Sequence, residues 1–239
     1  MDNIKQQKIT LPVAIIIAGF LIMIGILVSK GLDKNGSSSS EDKTLSEQVG
    51  VNKDDFKKCL QETDLQKLVE DGSASADLAM KAVPQNERGT PYSVIVGKNG
   101  SKAEVRGAYT IEDMRKLVAE VTSGKVTDPY KGEVPAVTSS DHIIGNADAP
   151  VVVIEYSDLE CPYCKRFGGV MKQLVEESGG QVAWVYRHWI VHEGAVTKTA
   201  AAECVAKLKG EDAFWKYIDL VYGLMKTSED VANEEIEQL

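Results

Sequence analysis

Cys161-Pro162-Tyr163-Cys164 constrains this chain more than any other feature. The pair follows an apolar run, Val151-Val152-Val153-Ile154, and precedes a stretch with helical spacing. A strand that ends in Cys-x-x-Cys and then opens a helix is the layout of a thiol–disulfide redox site. The helix start offers unpaired N–H groups and the positive end of the peptide dipole, and both favour a thiolate. Cys161 is expected at the exposed start of that helix. Cys164 is expected one turn further in and more buried. Two other readings stand beside the redox one. One makes the pair a purely structural disulfide or an inert pair, and the other joins Cys161 and Cys164 with His188 and His192 in a zinc site. The stretch between Cys164 and His188 is long for a zinc finger and carries a helix and a strand of its own, so redox activity is favoured and no metal is assigned.

The 239-residue chain has an uncharged stretch at 11–28, LPVAIIIAGFLIMIGILV. About 20 apolar residues cross a bilayer. The stretch lacks a small-residue cleavage site, so it reads as an uncleaved transmembrane signal anchor. Lys5 and Lys8 precede it, which places residues 1–10 in the cytoplasm and the rest outside. Residues 29–44, with four consecutive serines, read as a flexible linker. Four cysteines suit an oxidising, extracytoplasmic setting. The net charge of −9 speaks against nucleic-acid binding, which needs a basic face.

The remainder falls into two parts. In 45–122, short helices surround Cys59 and continue through Leu65–Ala82. Gly89-Thr90-Pro91 then turns into a strand, and Asn99-Gly100 marks a hairpin to a second strand at Lys102–Arg106. Thr110 caps a helix over Ile111–Val121. Residues 123–142 read as a linker. In 143–239, strands at 151–156 and 181–187 flank the Cys-x-x-Cys helix at 162–177. Helices follow over 195–208, 211–226 and 229–239. Glu155 lies inside the first of these strands, six residues before Cys161. It is expected to be buried near Cys164, with a raised pKa that suits a base near neutral pH. Glu160 adds negative charge beside Cys161.

These segments resemble the DsbA-like branch of the thioredoxin fold. The resemblance is carried by Ile143–Pro150 leading into Val151–Cys164, and by Ala213-Phe214-Trp215-Lys216-Tyr217, which is similar to that family's helical insertion. Phe56–Leu60, Gly89-Thr90-Pro91 and Gly107-Ala108-Tyr109 resemble the family's closing half. The fold class implied is α/β, a thioredoxin-like fold with a helical insertion. The family, however, places the Cys-x-x-Cys half first, and here the order is reversed. Circular permutation is the simplest account, with 45–122 as the C-terminal-type half and 143–239 as the N-terminal-type half. A swapped dimer, or a truncated duplication, would also fit the order.

The resemblance implies that Pro91 is a cis-proline beside the cysteines. Thr90 and Pro91 would help bind substrate, and Pro162 and Tyr163 would tune Cys161. It also implies that Cys59 and Cys204 lie close together. A Cys59–Cys204 disulfide would then staple the halves, with two free buried thiols as the alternative. The implied function is a membrane-anchored, extracytoplasmic thiol–disulfide oxidoreductase. It would form disulfides in exported proteins through Cys161, Cys164 and Glu155. No cofactor is needed beyond the Cys161–Cys164 disulfide, and a membrane redox partner would reoxidise it. A reductase or isomerase using the same site, or a non-catalytic thioredoxin-like binding module, remains open.

Overall fold

The structure is a computed structural model, and it describes residues 43–225. Residues 43–225 belong to one compact unit. Three short helices open it: α1 (Leu45–Gln48), α2 (Lys53–Glu62) and α3 (Leu65–Ala79). Thr44, Asn52 and Asp64 cap them with side-chain oxygens that accept from first-turn amides. A hairpin follows, β1 (Tyr92–Gly97) and β2 (Lys102–Arg106), then α4 (Ile111–Ser123). The second part holds β3 (His142–Ile144), β4 (Val151–Ser157), α5 (Pro162–Glu177), β5 (Val182–His188), α6 (Ala195–Lys209) and α7 (Glu211–Gly223).

The five strands form one sheet in the order β2-β1-β4-β5-β3. β1 pairs antiparallel with both β2 and β4, from Tyr92 opposite Tyr156 to Gly97 opposite Val151 in the β4 ladder. β4 runs parallel to β5, and β3 closes the far edge antiparallel to β5. Strands from both parts of the chain therefore share one sheet. β4 and β5 are buried on both faces, which is why they read as nearly continuous apolar runs.

Strand alternation sorts the side chains. Val151, Val153, Trp184 and Tyr186 face α4, α5, α6 and α7 with Phe167, Met171 and Phe214. Ile154, Tyr156 and Val185 face α3 with Ala76, Ala79 and Met80. Glu155 is in step with Val151 and Val153, so its carboxylate enters the face that carries the Cys-x-x-Cys helix.

The segment read as a linker is strapped to the domain. Pro129 forms a bridge with Ala103, and the Tyr130 hydroxyl donates to the Ala79 carbonyl at 2.8 Å. Arg187 donates to the carbonyls of Pro135 and Ala136 and pairs with Asp141 at 2.6 Å. Periodicity could not show this, because an extended strap is held by single long-range contacts.

The membrane reading needs correction. No helix among the described residues is long and apolar enough to cross a membrane. The longest, α5, has 16 residues, about 24 Å at about 1.5 Å per residue, against a hydrocarbon core about 30 Å thick. The apolar stretch 11–28 lies outside the described residues, as do the helix expected at 229–239 and nearly all of the tether at 29–44. The described residues therefore do not support the single-pass topology, the membrane-anchored form of the function, the membrane contact or the membrane redox partner.

Cys59 on α2 and Cys204 on α6 are joined by a disulfide across a sequence separation of 145. Cross-linking residues so far apart removes much chain entropy from the unfolded state. Replacing both by alanine is expected to cost about 2–4 kcal/mol, read from the denaturant midpoint. A second contact between the two parts is tighter. A Cβ on Gly72 of α3 would collide with the backbone carbonyl of His188. Alanine is the better helix former, by about 1 kcal/mol. The clash is nevertheless expected to win, so Gly72→Ala should lower stability by about 1–3 kcal/mol. A gain in the same denaturation experiment would refute that packing.

Candidate active site

The site is built where β4 ends and α5 begins. Cys161 occupies the N-cap of α5 in an extended conformation, and Pro162 takes the first helical position. Proline suits that position because its missing N–H would have no partner there. Cys164 follows within the first turn and is 1 % exposed. Its Sγ accepts from the Asp158 amide at 3.5 Å.

Contrary to the sequence expectation, Cys161 is also buried, at 4 % exposure. The register explains this. Tyr92 lies opposite Tyr156, so the residues before β1 arrive beside the end of β4. The Thr90–Pro91 peptide there is cis. The Cys161 thiol donates to the Thr90 carbonyl at 3.3 Å. Pro91 is buried, whereas Pro162 and Tyr163 are exposed. The Arg166 guanidinium stands 5.4 Å from the centre of the Tyr163 ring.

The two thiols differ sharply in acidity. The Cys164 thiol, opposed by burial, holds the Cys161 pKa down at about 5, and the backbone amides of Cys164 and Tyr163 assist. The Thr90 side chain lowers it further. Burial, then the Cys161 sulfur and the Glu155 charge, push Cys164 far above the ordinary thiol value. Glu155 itself is fully buried, and burial raises its pKa to about 8. Neither Glu155 oxygen has a partner in hydrogen-bond geometry, although Ser157 and Trp184 lie near enough to offset part of the rise. At neutral pH the site thus holds a Cys161 thiolate, a Cys164 thiol and a largely protonated Glu155.

Asp158 belongs to this site and was not found from sequence. Its buried carboxylate accepts from the Glu160 amide at 2.7 Å, the Val191 amide at 2.7 Å and the His192 amide at 3.0 Å. It also lies 3.1 Å from His192 Nδ1. Asp158 therefore ties the loop after β5 to the approach to Cys161. A lone Asp two residues before a Glu carries no pattern that would single it out. Behind it, the hydroxyls of Ser157, Tyr186 and Tyr222 form a chain with 3.3 Å links.

The structure thus gathers Cys161, Cys164, Glu155, Thr90, Pro91, Pro162 and Tyr163 at one end of the sheet. Cys59 and Cys204 lie apart from them, between α2 and α6. His188 and His192 do not join the cysteines as metal ligands. His192 turns to Asp158, and His188 groups with His142 and Glu203.

Residues 137–238 match the family described as Thioredoxin. That segment is thioredoxin-like. The match spans the Cys-x-x-Cys and covers less than half of the chain. Among curated proteins, a stretch of 85 residues is 35 % identical to Na(+)/H(+) antiporter NhaA 1 of Mycolicibacterium vanbaalenii. It takes in 34 % of this chain and 13 % of that protein. A stretch of 91 residues is 37 % identical to Na(+)/H(+) antiporter NhaA 3 of Salinispora tropica, again over 13 % of that protein and 37 % of this chain. The chain therefore spans only a small part of the length of these relatives. Among solved structures, DsbA2 of Pseudomonas aeruginosa aligns at 33 % identity with a TM-score of 0.34. BdbD of Bacillus subtilis in its oxidised form aligns at 25 % identity with a TM-score of 0.30. Each alignment covers 37 % of this chain and 50 % of the other.

The acidity of Cys161 makes the stability of the reduced form depend on pH. Its folded pKa of about 5 lies below the ordinary 9.0. The ionised thiol therefore adds stability to the reduced protein that is fully present above about pH 9 and is lost as pH falls through about 5. The stability of the reduced form relative to the disulfide form is expected to fall across that window. The thiolate ultraviolet absorbance of reduced protein is expected to titrate near pH 5. A midpoint near 9 in that titration would remove the basis for an activated Cys161.

Proposed function

We propose that this chain is a DsbA-like thiol–disulfide oxidoreductase that oxidises pairs of protein thiols through the Cys161–Cys164 disulfide. The carrying observation is the contrast between Cys161, with a pKa of about 5, and the buried Cys164 beside it, pushed far up. A stable Cys161 thiolate stabilises the reduced pair and makes the disulfide oxidising. It also makes Cys161 the better leaving group when a mixed disulfide is resolved.

A substrate thiolate attacks Cys161 Sγ, the Cys161–Cys164 bond breaks, and Cys164 leaves with the electron pair. Cys164 then takes a proton from Glu155, whose raised pKa supplies one near neutral pH. A second substrate thiolate attacks the substrate sulfur of the mixed disulfide and releases Cys161 as thiolate. The substrate gains a disulfide and loses two electrons, which reside in the Cys161–Cys164 dithiol. The Thr90 carbonyl beside Cys161, followed by a proline with no N–H to donate, supports a role for Thr90 and Pro91 in holding an extended substrate segment. Exposed Tyr163 supports a role in the same contact.

We further propose that the two parts form one thioredoxin-type domain in permuted order within a single chain. Its support is that β1 and β2 lie in the same sheet as β4 and β5 and bring Thr90 to Cys161. A swapped dimer would pair Cys59 of one chain with Cys204 of another, whereas permutation leaves the protein monomeric on a non-reducing gel.

The deciding experiment is a glutathione titration of the Cys161–Cys164 pair. One pKa unit is worth about 30 mV for a two-electron couple. Thioredoxin, with a thiol pKa of about 7, sits at about −270 mV. A Cys161 pKa two units lower places this pair at about −210 mV. A value at or below about −270 mV would reverse the direction to reduction. Cys164→Ala should accumulate mixed disulfides on Cys161, and Cys161→Ser should abolish thiol oxidation without unfolding the chain. Undiminished activity in Cys161→Ser would exclude this site.

A further inference from the structure

At the opposite edge of the sheet from β2 lies a second cluster that the redox chemistry does not use. His142 on β3 and His188 on β5 are both buried, at 6 % and 8 % exposure. Their strands are paired with His142 opposite Tyr186, so His188 lies two residues on, and both imidazoles fall on the same face of the sheet. Glu203 on α6 reaches between them. Its Oε1 lies 3.1 Å from His142 Nε2 and 3.4 Å from His188 Nε2. One ligand-type atom from each of the three residues falls within 4.8 Å of the others.

We propose that His142, His188 and Glu203 bind a divalent first-row transition-metal ion of the zinc type. Bonds of about 2.0–2.2 Å at tetrahedral angles place neighbouring ligand atoms about 3.3–3.6 Å apart; the Glu203 oxygen lies 3.1 Å from one imidazole nitrogen and 3.4 Å from the other, close to that spacing. Two imidazoles and one carboxylate form a known zinc ligand set with a fourth position left for water.

Three further observations favour an ion over a bare hydrogen-bonded cluster. His188 Nε2 is buried and has no partner in hydrogen-bond geometry, although the Glu203 oxygen is close by. An imidazolium at His142 held by two carboxylates would satisfy His142 but leave that nitrogen orphaned, which is costly in the interior. Both rings are also oriented from behind. His142 Nδ1 lies 3.0 Å from the Glu211 carboxylate, and His188 Nδ1 lies 3.5 Å from Thr199 Oγ1. A carboxylate on the far ring nitrogen of a ligating histidine fixes its tautomer and raises its basicity. The Phe214 ring stacks on His142 at 3.5 Å and 9° and holds its plane.

The ion would join three elements. β3 is a three-residue edge strand, and its hold on β5 is short. An ion shared with Glu203 would fasten that edge to α6, next to the Cys204 end of the disulfide. This role is independent of the thiol chemistry of Cys161 and Cys164, and either can stand without the other.

The test uses the full chain with Cys161–Cys164 oxidised, so that those thiols contribute no ligands. Isothermal titration with zinc chloride, with bound metal counted by mass spectrometry, is expected to show one ion per chain with micromolar or tighter affinity. Cobalt(II) in place of zinc should give the visible bands of a tetrahedral site. Glu203→Gln should weaken zinc binding at least tenfold, and Glu211→Gln about 10–100-fold through His142. Failure of the oxidised wild-type chain to bind zinc stoichiometrically would overturn the proposal, and that result does not depend on any variant folding. Unchanged affinity in a folded Glu203→Gln protein would overturn it equally.

Discussion

The pairing of β1 with β4 is the constraint on which the rest of the structure depends. Among the described residues it is the only sheet ladder that joins strands from the two parts of the chain. Six residue pairs, from Tyr92–Tyr156 to Gly97–Val151, set its register. Strand side chains alternate, so a slip of one residue would turn the apolar set of β1 to the wrong face. The same register decides where the Thr90–Pro91 peptide stops. It stops beside the first turn of α5, close enough for the Thr90 carbonyl to accept from Cys161. The pairing that closes the fold therefore also completes the site.

Around that ladder the two parts are held by contacts of different kinds. The Cys59–Cys204 disulfide joins α2 to α6. Gly72 lets α3 approach the end of β5. Arg187 fastens the segment before β3 through Asp141 and two carbonyls. A buried ion pair of this kind adds little net stability, because desolvation opposes the attraction. Its consequence is positional: the arginine's several donors give the strap one defined path.

The polar groups left without partners are concentrated on the face of the sheet that carries the chemistry. Glu155, Ser93 and Trp184 Nε1 are buried beneath the Cys-x-x-Cys helix with no hydrogen-bond partner. An unpaired carboxyl there costs stability, and it persists in its neutral form because ionisation would cost more. This is the condition under which a carboxyl can pass a proton to Cys164 near neutral pH. His188 Nε2 is a further buried nitrogen of that face without a hydrogen-bond partner, at its far edge. Interiors rarely leave such groups unsatisfied without a reason.

Much of the local structure was legible in the residues themselves. Alternation and apolar runs marked β4 and β5, Asn99-Gly100 marked the β1–β2 turn, and Thr110 marked the start of α4. These are short-range effects, set by backbone sterics, turn chemistry and capping within a few residues. The same reasoning put Glu155 inside β4 but could not say what lay around it. Locally, residues 123–142 read as a linker and Cys161 as the exposed start of a helix. In both cases the deciding contacts come from residues 26 to 71 positions away, and no local pattern encodes them. By itself the sequence determined the elements and the presence of a thiol pair at a helix start. Only the tertiary structure decided that Thr90 covers Cys161, that Asp158 anchors the loop after β5, and that His142, His188 and Glu203 meet. Those encounters follow from strand register and helix packing, which are properties of the assembled sheet rather than of any segment within it.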